Sequence, residues 1–260
     1  MAIATSKHYT MKMRYLTGLR KGIAVLCLVF IVACTQNQSD NQEIQENQWV
    51  ELFNGVDLDG WEIKLDDDES DGGTIPFMVQ DNMIISTAEL GKPNGYLATV
   101  KKYSNFILEW EVRIDTTLNS GVQVRGQVWE HDTTTMYLSG NGELREGLWK
   151  AGTVWGYQIE VDPSKRRWSG GLYEPRNRGW IVDLVENKVA GEAFDRSGWN
   201  KMKVELIDAH IKTWVNGVQA VDTTDPVLKT GFIGLQYHKV YNETQQGKQV
   251  YWKNIRIMEL

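Results

Sequence analysis

Cysteine is almost absent from this sequence of 260 residues, which contains only Cys27 and Cys34. Both lie near the amino terminus, so the remainder of the chain can form neither a disulfide nor a cysteine-ligated metal site. Apolar runs are short as well: the one at 23–32 is too short to span a bilayer as a permanent helix. Positive charge is also scarce, because the net charge is −6 and the only basic tract is 165–167. This balance argues against nucleic acid as a partner.

The amino terminus has the composition of a secretory signal. Basic residues precede the apolar run, which ends in Val32-Ala33 immediately before Cys34. This arrangement resembles a bacterial lipoprotein signal, in which cleavage leaves Cys34 as the lipid-bearing first residue. We therefore expect a signal peptide at 1–33 and a lipid anchor that holds the protein in the cell envelope, at the periplasm or outer membrane. The alternative is a cleaved signal with an incidental cysteine.

The next segment, residues 34–48, is rich in Gln, Asn and Glu and has almost no apolar groups. Such a segment cannot bury enough surface to fold, which predicts a disordered tether. Residues 49–260 then suffice for a single domain with one core.

Alternation of apolar and polar residues dominates this domain and predicts an all-β fold. The strongest signal is the strand 106–114, in which every second residue is apolar. Asn216-Gly217 has the composition of a two-residue hairpin turn. Residues 126–153 lack the alternation of apolar and polar residues. They are interpreted as a long surface loop excursion at the rim of the site. The pattern predicts a sandwich of two antiparallel sheets.

Three strands carry polar residues on the face that alternates with the apolar one. They are Gln123 with Arg125, then Gln158 with Glu160 and Asp162, and finally Gln236 with His238. If these strands share one sheet, their polar faces converge on a single groove with acid–base groups. The Cα atoms of Glu160 and Asp162 would lie roughly 6.5 to 7 Å apart, which is close enough for each carboxylate to shift the pKa of the other.

Several short motifs, taken in order, resemble the 3-keto-disaccharide hydrolase domain family. Each motif alone is weak, but together they cover nearly all of the chain after the tether. They are Leu52-Phe53-Asn54-Gly55 with Gly60-Trp61, Asn119-Ser120-Gly121-Val122 to Arg125, Tyr157 to Asp162, Trp168-Ser169-Gly170-Gly171-Leu172-Tyr173, Gly198-Trp199-Asn200, Trp214 to Gly217, Gly234-Leu235-Gln236 with His238, and Asn254-Ile255-Arg256-Ile257 to Leu260.

The resemblance implies a concanavalin A-like jelly-roll β-sandwich with a concave polar groove. It also implies secreted or lipid-anchored proteins that cleave sugars already oxidised at C3. A ketone at C3 acidifies the C2 proton, so a base can remove it, the C1 substituent is eliminated and water adds back. The substrates are 3-keto-glycosides or 3-keto-disaccharides, and a sugar 3-dehydrogenase would be the functional partner that supplies them.

The resemblance gives the polar residues roles in this reaction. Glu160 or His238 removes the C2 proton, and the other assists departure of the glycosidic oxygen. Arg125 stabilises the enolate or holds the sugar, with a bound Ca²⁺ as the alternative enolate stabiliser; no cofactor is required otherwise. The residues expected to bind the sugar are Gln123, Gln158, Asp162, Trp168, Tyr173, Arg178 and Gln236.

Two other functions fit the same fold. One is a lectin-like carbohydrate-binding module without turnover, because a fold does not decide function. The other is a retaining glycosidase similar to the family 16 glycoside hydrolases, whose strand motif is Glu-x-Asp-x-x-Glu. Glu160 and Asp162 match the first two positions, but Lys165 occupies the third. A retaining glycosidase uses a pair of carboxyl groups, and the one expected to act as the general acid would therefore be missing here.

Overall fold

The computed structural model describes residues 48–65, 74–139 and 142–260. The predicted signal peptide, Cys34 and all of the predicted tether except Gln48 lie outside these residues. The described part from Gln48 onwards belongs to one compact unit. No helix within it has the length and apolar character needed to cross a membrane.

Strands account for nearly all of the regular structure, and the described ranges contain a single short helix, α1, Lys188–Glu192. The strands in chain order are β1 Val50–Glu51, β2 Trp61–Leu65, β3 Phe77–Gln80, β4 Met83–Thr87, β5 Gly95–Thr99, β6 Phe106–Ile114, β7 Ser120–Val128, β8 Thr133–Leu138, β9 Leu144–Trp149, β10 Val154–Val161, β11 Leu172–Glu174, β12 Gly179–Val182, β13 Asn200–Ile207, β14 His210–Val215, β15 Val218–Thr224, β16 Phe232–Tyr237 and β17 Gln249–Glu259.

The strands form two sheets, as predicted. The first sheet has the order β15-β14-β13-β6-β17-β4-β3, and β1 pairs with β17 at its side. The second sheet has the order β2-β5-β16-β7-β10-β11-β12-β8-β9. All pairs are antiparallel except for a single parallel pairing between β12 and β8. The fold is therefore an all-β jelly-roll sandwich.

The core lies between the inner faces of the two sheets. Every second residue of β6 is buried, from Phe106 to Ile114, which confirms the predicted alternation. Tyr157, Ile159 and Val161 of β10 supply the same apolar face in the second sheet and are fully buried. The residues between them, Gln158 and Glu160, must therefore point to the outer face of the second sheet.

Two tight hairpin turns have left-handed backbone conformations, and one of them is the predicted Asn216-Gly217 turn. Asn216 and Gly217 have φ values of 48° and 83°, which the two-residue hairpin between β14 and β15 requires. Asp81 and Asn82, between β3 and β4, have φ values of 51° and 59°. Asn and Asp tolerate this left-handed region better than other residues with side chains.

The interpretation of residues 126–153 as a loop excursion was wrong. β7 continues to Val128, and β8 and β9 form a hairpin that extends the second sheet. The apolar period is weak here because both faces of the hairpin contain polar residues, and Met136, Leu144 and Leu148 are exposed. Tyr137 and Trp149 lie 5.7 Å apart between ring centres on one face of this hairpin.

Candidate active site on the outer face of the second sheet

Cross-strand pairing brings three of the predicted site residues side by side. Gln158 on β10 lies opposite Gln123 on β7 and opposite Tyr173 on β11. Residues directly opposite each other in a sheet point to the same face. Glu160 lies opposite Gly121, which has no side chain, and the side chain of Gln158 fills the space beside it.

Glu160 is at the centre of this arrangement. Its side chain is 4% exposed and accepts hydrogen bonds from three donors. Asn119 Nδ2 lies 2.8 Å and Arg166 Nη2 3.3 Å from Oε1, and Gln158 Nε2 lies 3.1 Å from Oε2. Burial raises the pKa of Glu160 above its usual value despite these donors, and the neighbouring Asp162 charge acts in the same direction. A carboxyl group with a raised pKa is suited to proton transfer.

Arg166 connects the two carboxylates. Its Nε donates to Asp162 Oδ2 at 2.8 Å, while Nη2 reaches Glu160. The guanidinium also lies over the rings of Trp168 and Trp180, 4.6 and 5.2 Å from their centres. Arg166 belongs to the basic tract 165–167 but was not among the predicted site residues. It lies in a loop, where side chains do not alternate between two faces as they do in a strand.

Buried amides extend the polar network across three strands. Tyr96 Oη donates to Gln158 Oε1 at 3.1 Å, and Gln236 Nε2 lies 3.4 Å from Tyr96 Oη. Both polar atoms of Gln123 and Oε1 of Gln236 are buried and have no hydrogen-bond partner among the residues that the structure describes. A buried polar group without a partner costs about 1–3 kcal/mol. Such atoms on an otherwise bonded face are suited to hydroxyl groups of a ligand.

Aromatic rings line the β11–β12 side of this face. Tyr173 lies opposite Trp180, with ring centres 5.0 Å apart. Trp168 meets Trp180 edge to face at 4.6 Å. Trp180 was not predicted as a site residue, although its pairing with Tyr173 places it there.

His238 follows β16 and is partly buried. Its Nδ1 lies 2.8 Å from the Lys239 carbonyl oxygen. Because a carbonyl can only accept, Nδ1 carries the proton, and in the neutral ring the lone pair is on Nε2. Burial lowers the pKa of His238 below its usual value, and the charge of Arg176 adds to this, whereas the charge of Asp162 opposes it. The charges of Asp162 and Arg176 therefore act on His238, and Arg176 is a second cation that the sequence analysis missed.

Arg125 is not part of this face, which corrects the predicted pairing with Gln123. Arg125 has φ 49°, and the register of β7 against β10 shifts there, so the alternation of side chains is broken. The side chain is fully buried and donates to the carbonyl oxygens of Ser104, Asp208 and Leu228 and to Asn105 Oδ1. Arg125 is therefore a structural residue.

Arg178 also lies elsewhere than predicted. It forms ion pairs with Glu174 and Asp225, and Asp225 in turn accepts from the hydroxyl of the core residue Tyr157. Asp225 directly follows β15 of the first sheet. Arg178 therefore bridges the two sheets at the edge of the core rather than lining the polar face.

Among the described residues, no group of three or more His, Cys, Asp or Glu side chains is placed to hold a metal ion. The carboxylates of Glu160 and Asp162 are both paired with Arg166 rather than placed to share a metal ion. Ca²⁺ takes roughly six to eight oxygen ligands, so this donor set does not fit it.

Comparison with known proteins identifies the kind of domain. The profile of the 3-keto-alpha-glucoside-1,2-lyase-like domain matches residues 48–258. No curated protein sequence matches the chain. Among solved structures, it is similar to a putative glycosyl hydrolase from Parabacteroides distasonis, with 20% identity over 82% of this chain and 94% of that one and a TM-score of 0.47. A galectin-like protein of unknown function from Bacillus subtilis has 11% identity, 82% and 94% coverage and a TM-score of 0.49. A β-glucanase from Bacillus licheniformis has 14% identity, 82% and 98% coverage and a TM-score of 0.44.

Proposed function

This chain belongs to the family of 3-keto-alpha-glucoside-1,2-lyase-like domains, and from that premise we propose that it cleaves 3-keto-glycosides by elimination and hydration. The single observation that supports the proposal is that one sheet carries the buried carboxyl group of Glu160 on β10, the buried amides of Gln123 and Gln236 on β7 and β16, and His238 directly after β16. Carbohydrate is the ligand class that this combination of amides and aromatic rings fits.

The reaction divides into two steps. In the first, a base takes the proton from C2, electrons move onto the C3 ketone to give an enolate, and the enolate expels the C1 oxygen, which takes a proton from an acid. The product is an unsaturated keto sugar with a C1–C2 double bond. In the second, water adds across that bond, with its oxygen at C1 and a proton at C2. No oxidant or reductant is consumed.

His238 is the base in this proposal and Glu160 the acid. The Nδ1 contact with the Lys239 carbonyl supports the assignment, since it leaves Nε2 able to accept a proton. The lowered pKa of His238 keeps the ring neutral, and the raised pKa of Glu160 keeps a fraction of the carboxyl protonated. Glu160 can then give its proton to the departing oxygen.

Arg176 replaces Arg125 as the cation that stabilises the enolate. The charge of Arg176 acts on both His238 and Tyr173, so it lies near the proposed base. Arg166 has another role, since it holds the carboxylates of Glu160 and Asp162. A fixed positive charge near a developing oxyanion is among the larger contributions that an active site makes.

The remaining polar residues hold the sugar. Gln123 and Gln236 offer buried amide atoms without hydrogen-bond partners among the described residues, and Asp162 offers a carboxylate fixed by Arg166. Trp168, Tyr173 and Trp180 provide ring surfaces beside them. Gln158 positions Glu160 through its amide nitrogen.

The location proposed for the protein rests on the amino-terminal sequence, and the proposed partner enzyme rests on the family to which the chain belongs. Cys34 is the proposed lipidation site, and the protein is held in the bacterial cell envelope, at the periplasm or outer membrane. A sugar 3-dehydrogenase supplies its substrate.

The experiment that tests the function is turnover of a 3-keto-glucoside by the purified domain. Replacing Glu160 by Gln should lower the rate at least about 100-fold, because proton transfer by a positioned side chain contributes that much, while the unfolding transition is retained. Glu205→Gln, on the polar face of the first sheet, is the matched control and should keep the wild-type rate. Near-normal turnover by Glu160→Gln would remove Glu160 from the mechanism.

A lectin-like module is the second candidate, and the ring cluster of Trp168, Trp180 and Tyr173 is the observation that favours it. Such rings bind sugars with or without chemistry. Unchanged glycan binding by Glu160→Gln, together with no product from any keto sugar in the wild type, would establish binding alone.

A further inference from the structure

Two neighbouring cavities adjoin the Asp162 side of the active site. The first has a volume of about 470 Å³ and is lined by Asp162 and by residues of the segment 191–197. The second has a volume of about 440 Å³ and lies at the end of β6, where Arg113 and Tyr251 line it. Thr116, Arg196 and Ser197 line both cavities. The two cavities therefore adjoin each other and are together called the side groove; Asp162, a residue of the proposed active site, lines its first cavity.

The half of the side groove beside Asp162 has its acidic groups already bonded. Asp162 binds Arg166, and Glu192 forms an ion pair with Arg167. Asp195 accepts from the backbone nitrogen and the hydroxyl of Ser197 at 2.9 and 2.8 Å. This half therefore offers both hydrogen-bond donors and hydrogen-bond acceptors, and it suits a neutral sugar.

The far half has cations without counter-charges. Arg113 lies over the rings of Tyr251 and Trp199, 4.5 and 5.2 Å from their centres. Arg196 is fixed by a hydrogen bond from its Nε to the Pro163 carbonyl. In the described part of the chain, neither arginine is within ion-pair distance of an acidic side chain, whereas the neighbouring Lys248 is paired with Asp115 at 3.5 Å.

The same cavity is lined by one carboxylate, Asp115, which is paired with Lys248. Two guanidinium groups that line the cavity and are not paired with that carboxylate form a place for an anion, since their planar N–H groups match carboxylate and sulfate oxygens. We propose that the side groove binds the leaving-group portion of the substrate, and that Arg113 and Arg196 hold an anionic group on it. The substrate is thus an acidic glycan, extended on its leaving-group side, with a carboxylate or sulfate. This inference rests on the proposed function, because Asp162 of the proposed active site lines the side groove.

The test uses matched 3-keto-glucosyl di- and trisaccharides whose last sugar is glucose, glucuronate or sulfated glucose. The measured quantity is the ratio of kcat/KM for the acidic compound over the neutral one. We expect wild-type protein to prefer an acidic compound about tenfold at low salt, with the preference falling as ionic strength rises. Arg196→Gln and Arg113→Gln should each bring the ratio close to one. Arg196→Lys and Arg113→Lys, which keep the charge, should retain part of it.

Lys229→Ala is the matched control, because Lys229 is also a cation lining a surface cavity, one that Ser104 and Asp208 line as well. It should leave the ratio unchanged. A wild-type ratio of one for both acidic series, or an equal loss in all Arg→Gln and control variants, would overturn the anion site while the proposed function stands. A preference for glucuronate alone or sulfate alone identifies the acidic group.

Absence of turnover in every series would instead refute the proposed function. Calorimetric binding of the same compounds then decides the anion site separately: tighter binding of an acidic compound that Arg196→Gln abolishes supports it, and equal affinities overturn it.

Discussion

A single backbone angle at Arg125 separates the predicted site from the observed one. Counting every second residue along β7 places Arg125 beside Gln123, but the left-handed conformation at Arg125 turns its side chain towards carbonyl groups between the sheets. The local sequence carries no signal for such a bulge, since Arg is not a residue that favours positive φ. Gln123 and Gln158 were placed on one polar face by parity, because the strands there are regular. Tyr173 was predicted there only through the family resemblance.

Arg125 is expected to affect stability rather than catalysis. Arg125→Met removes the donor of four hydrogen bonds and leaves buried carbonyl oxygens unpaired, so the free energy of unfolding should fall by about 3 kcal/mol or more. Denaturant unfolding measures this loss. The kcat of the fraction that remains folded should stay within a factor of about two of wild type. A stable Arg125→Met variant with abolished turnover would contradict this assignment.

The proposed acid and base predict the pH dependence of kcat/KM. His238 must be neutral to accept a proton, so activity rises with pH through its pKa, which burial lowers below the usual value. Glu160 must be protonated to donate, so activity falls as pH rises through its pKa, which burial raises above the usual value. The optimum should therefore lie on the acidic side of neutrality.

Arg166 provides a test of the descending limb of that profile. Its positive charge lowers the pKa of Glu160, so Arg166→Ala should move the descending limb to higher pH, whatever it does to the absolute rate. Arg256→Ala, which removes a guanidinium from the first sheet, should leave the limb in place. A limb that moves to lower pH would contradict Glu160 as the acid.

At the scale of strands, the regular elements could be predicted and the edge of the second sheet could not. β6 has strict alternation over nine residues, and its bounds are those that the pattern predicted. The β8–β9 hairpin lacks alternation because it lies at the sheet edge, with exposed apolar residues on one face. Its place was therefore decided by pairing with β12, which the sequence does not reveal.

The pairing of β7 and β10 makes Gly121 a sensitive position. A Cβ atom at Gly121 would lie 2.6 Å from Gln158 Cγ, so Gly121→Ala must displace the amide that links Tyr96 to Glu160. We expect a loss of about 1–3 kcal/mol in stability from overpacking and a fall in kcat/KM beyond it. Val221→Ala in the first sheet is the control, since it should lower the melting temperature without lowering kcat/KM. Equal kinetics for both variants would show that the position of the Gln158 amide has no role in turnover.

At the scale of the whole molecule, the two sheets position the site through a shared core. The buried faces of β6 and β17 on one side and of β7 and β10 on the other belong to one hydrophobic cluster. Composition and alternation were enough to predict this sandwich, because burial of apolar stripes on both sheets is a property of the whole pattern. The convergence of Glu160 and His238 was predicted only on the condition that β10 and β16 share a sheet, which they do, with β7 between them.

The domain boundary gives a prediction for the whole chain. β1 pairs with β17, the Leu52 backbone nitrogen donates to the Ile255 carbonyl at 2.8 Å, and Phe53 is 6% exposed. A protein that begins at Gln48 should therefore unfold with the same free energy as one that begins at Thr35, to within about 0.5 kcal/mol. One that begins at Val56 loses β1 and the burial of Phe53, and should be less stable by about 3–5 kcal/mol. Chemical denaturation of the three proteins measures the differences. A large loss on removing residues 35–47 would show that this segment contributes to the folded domain and would refute the proposed tether.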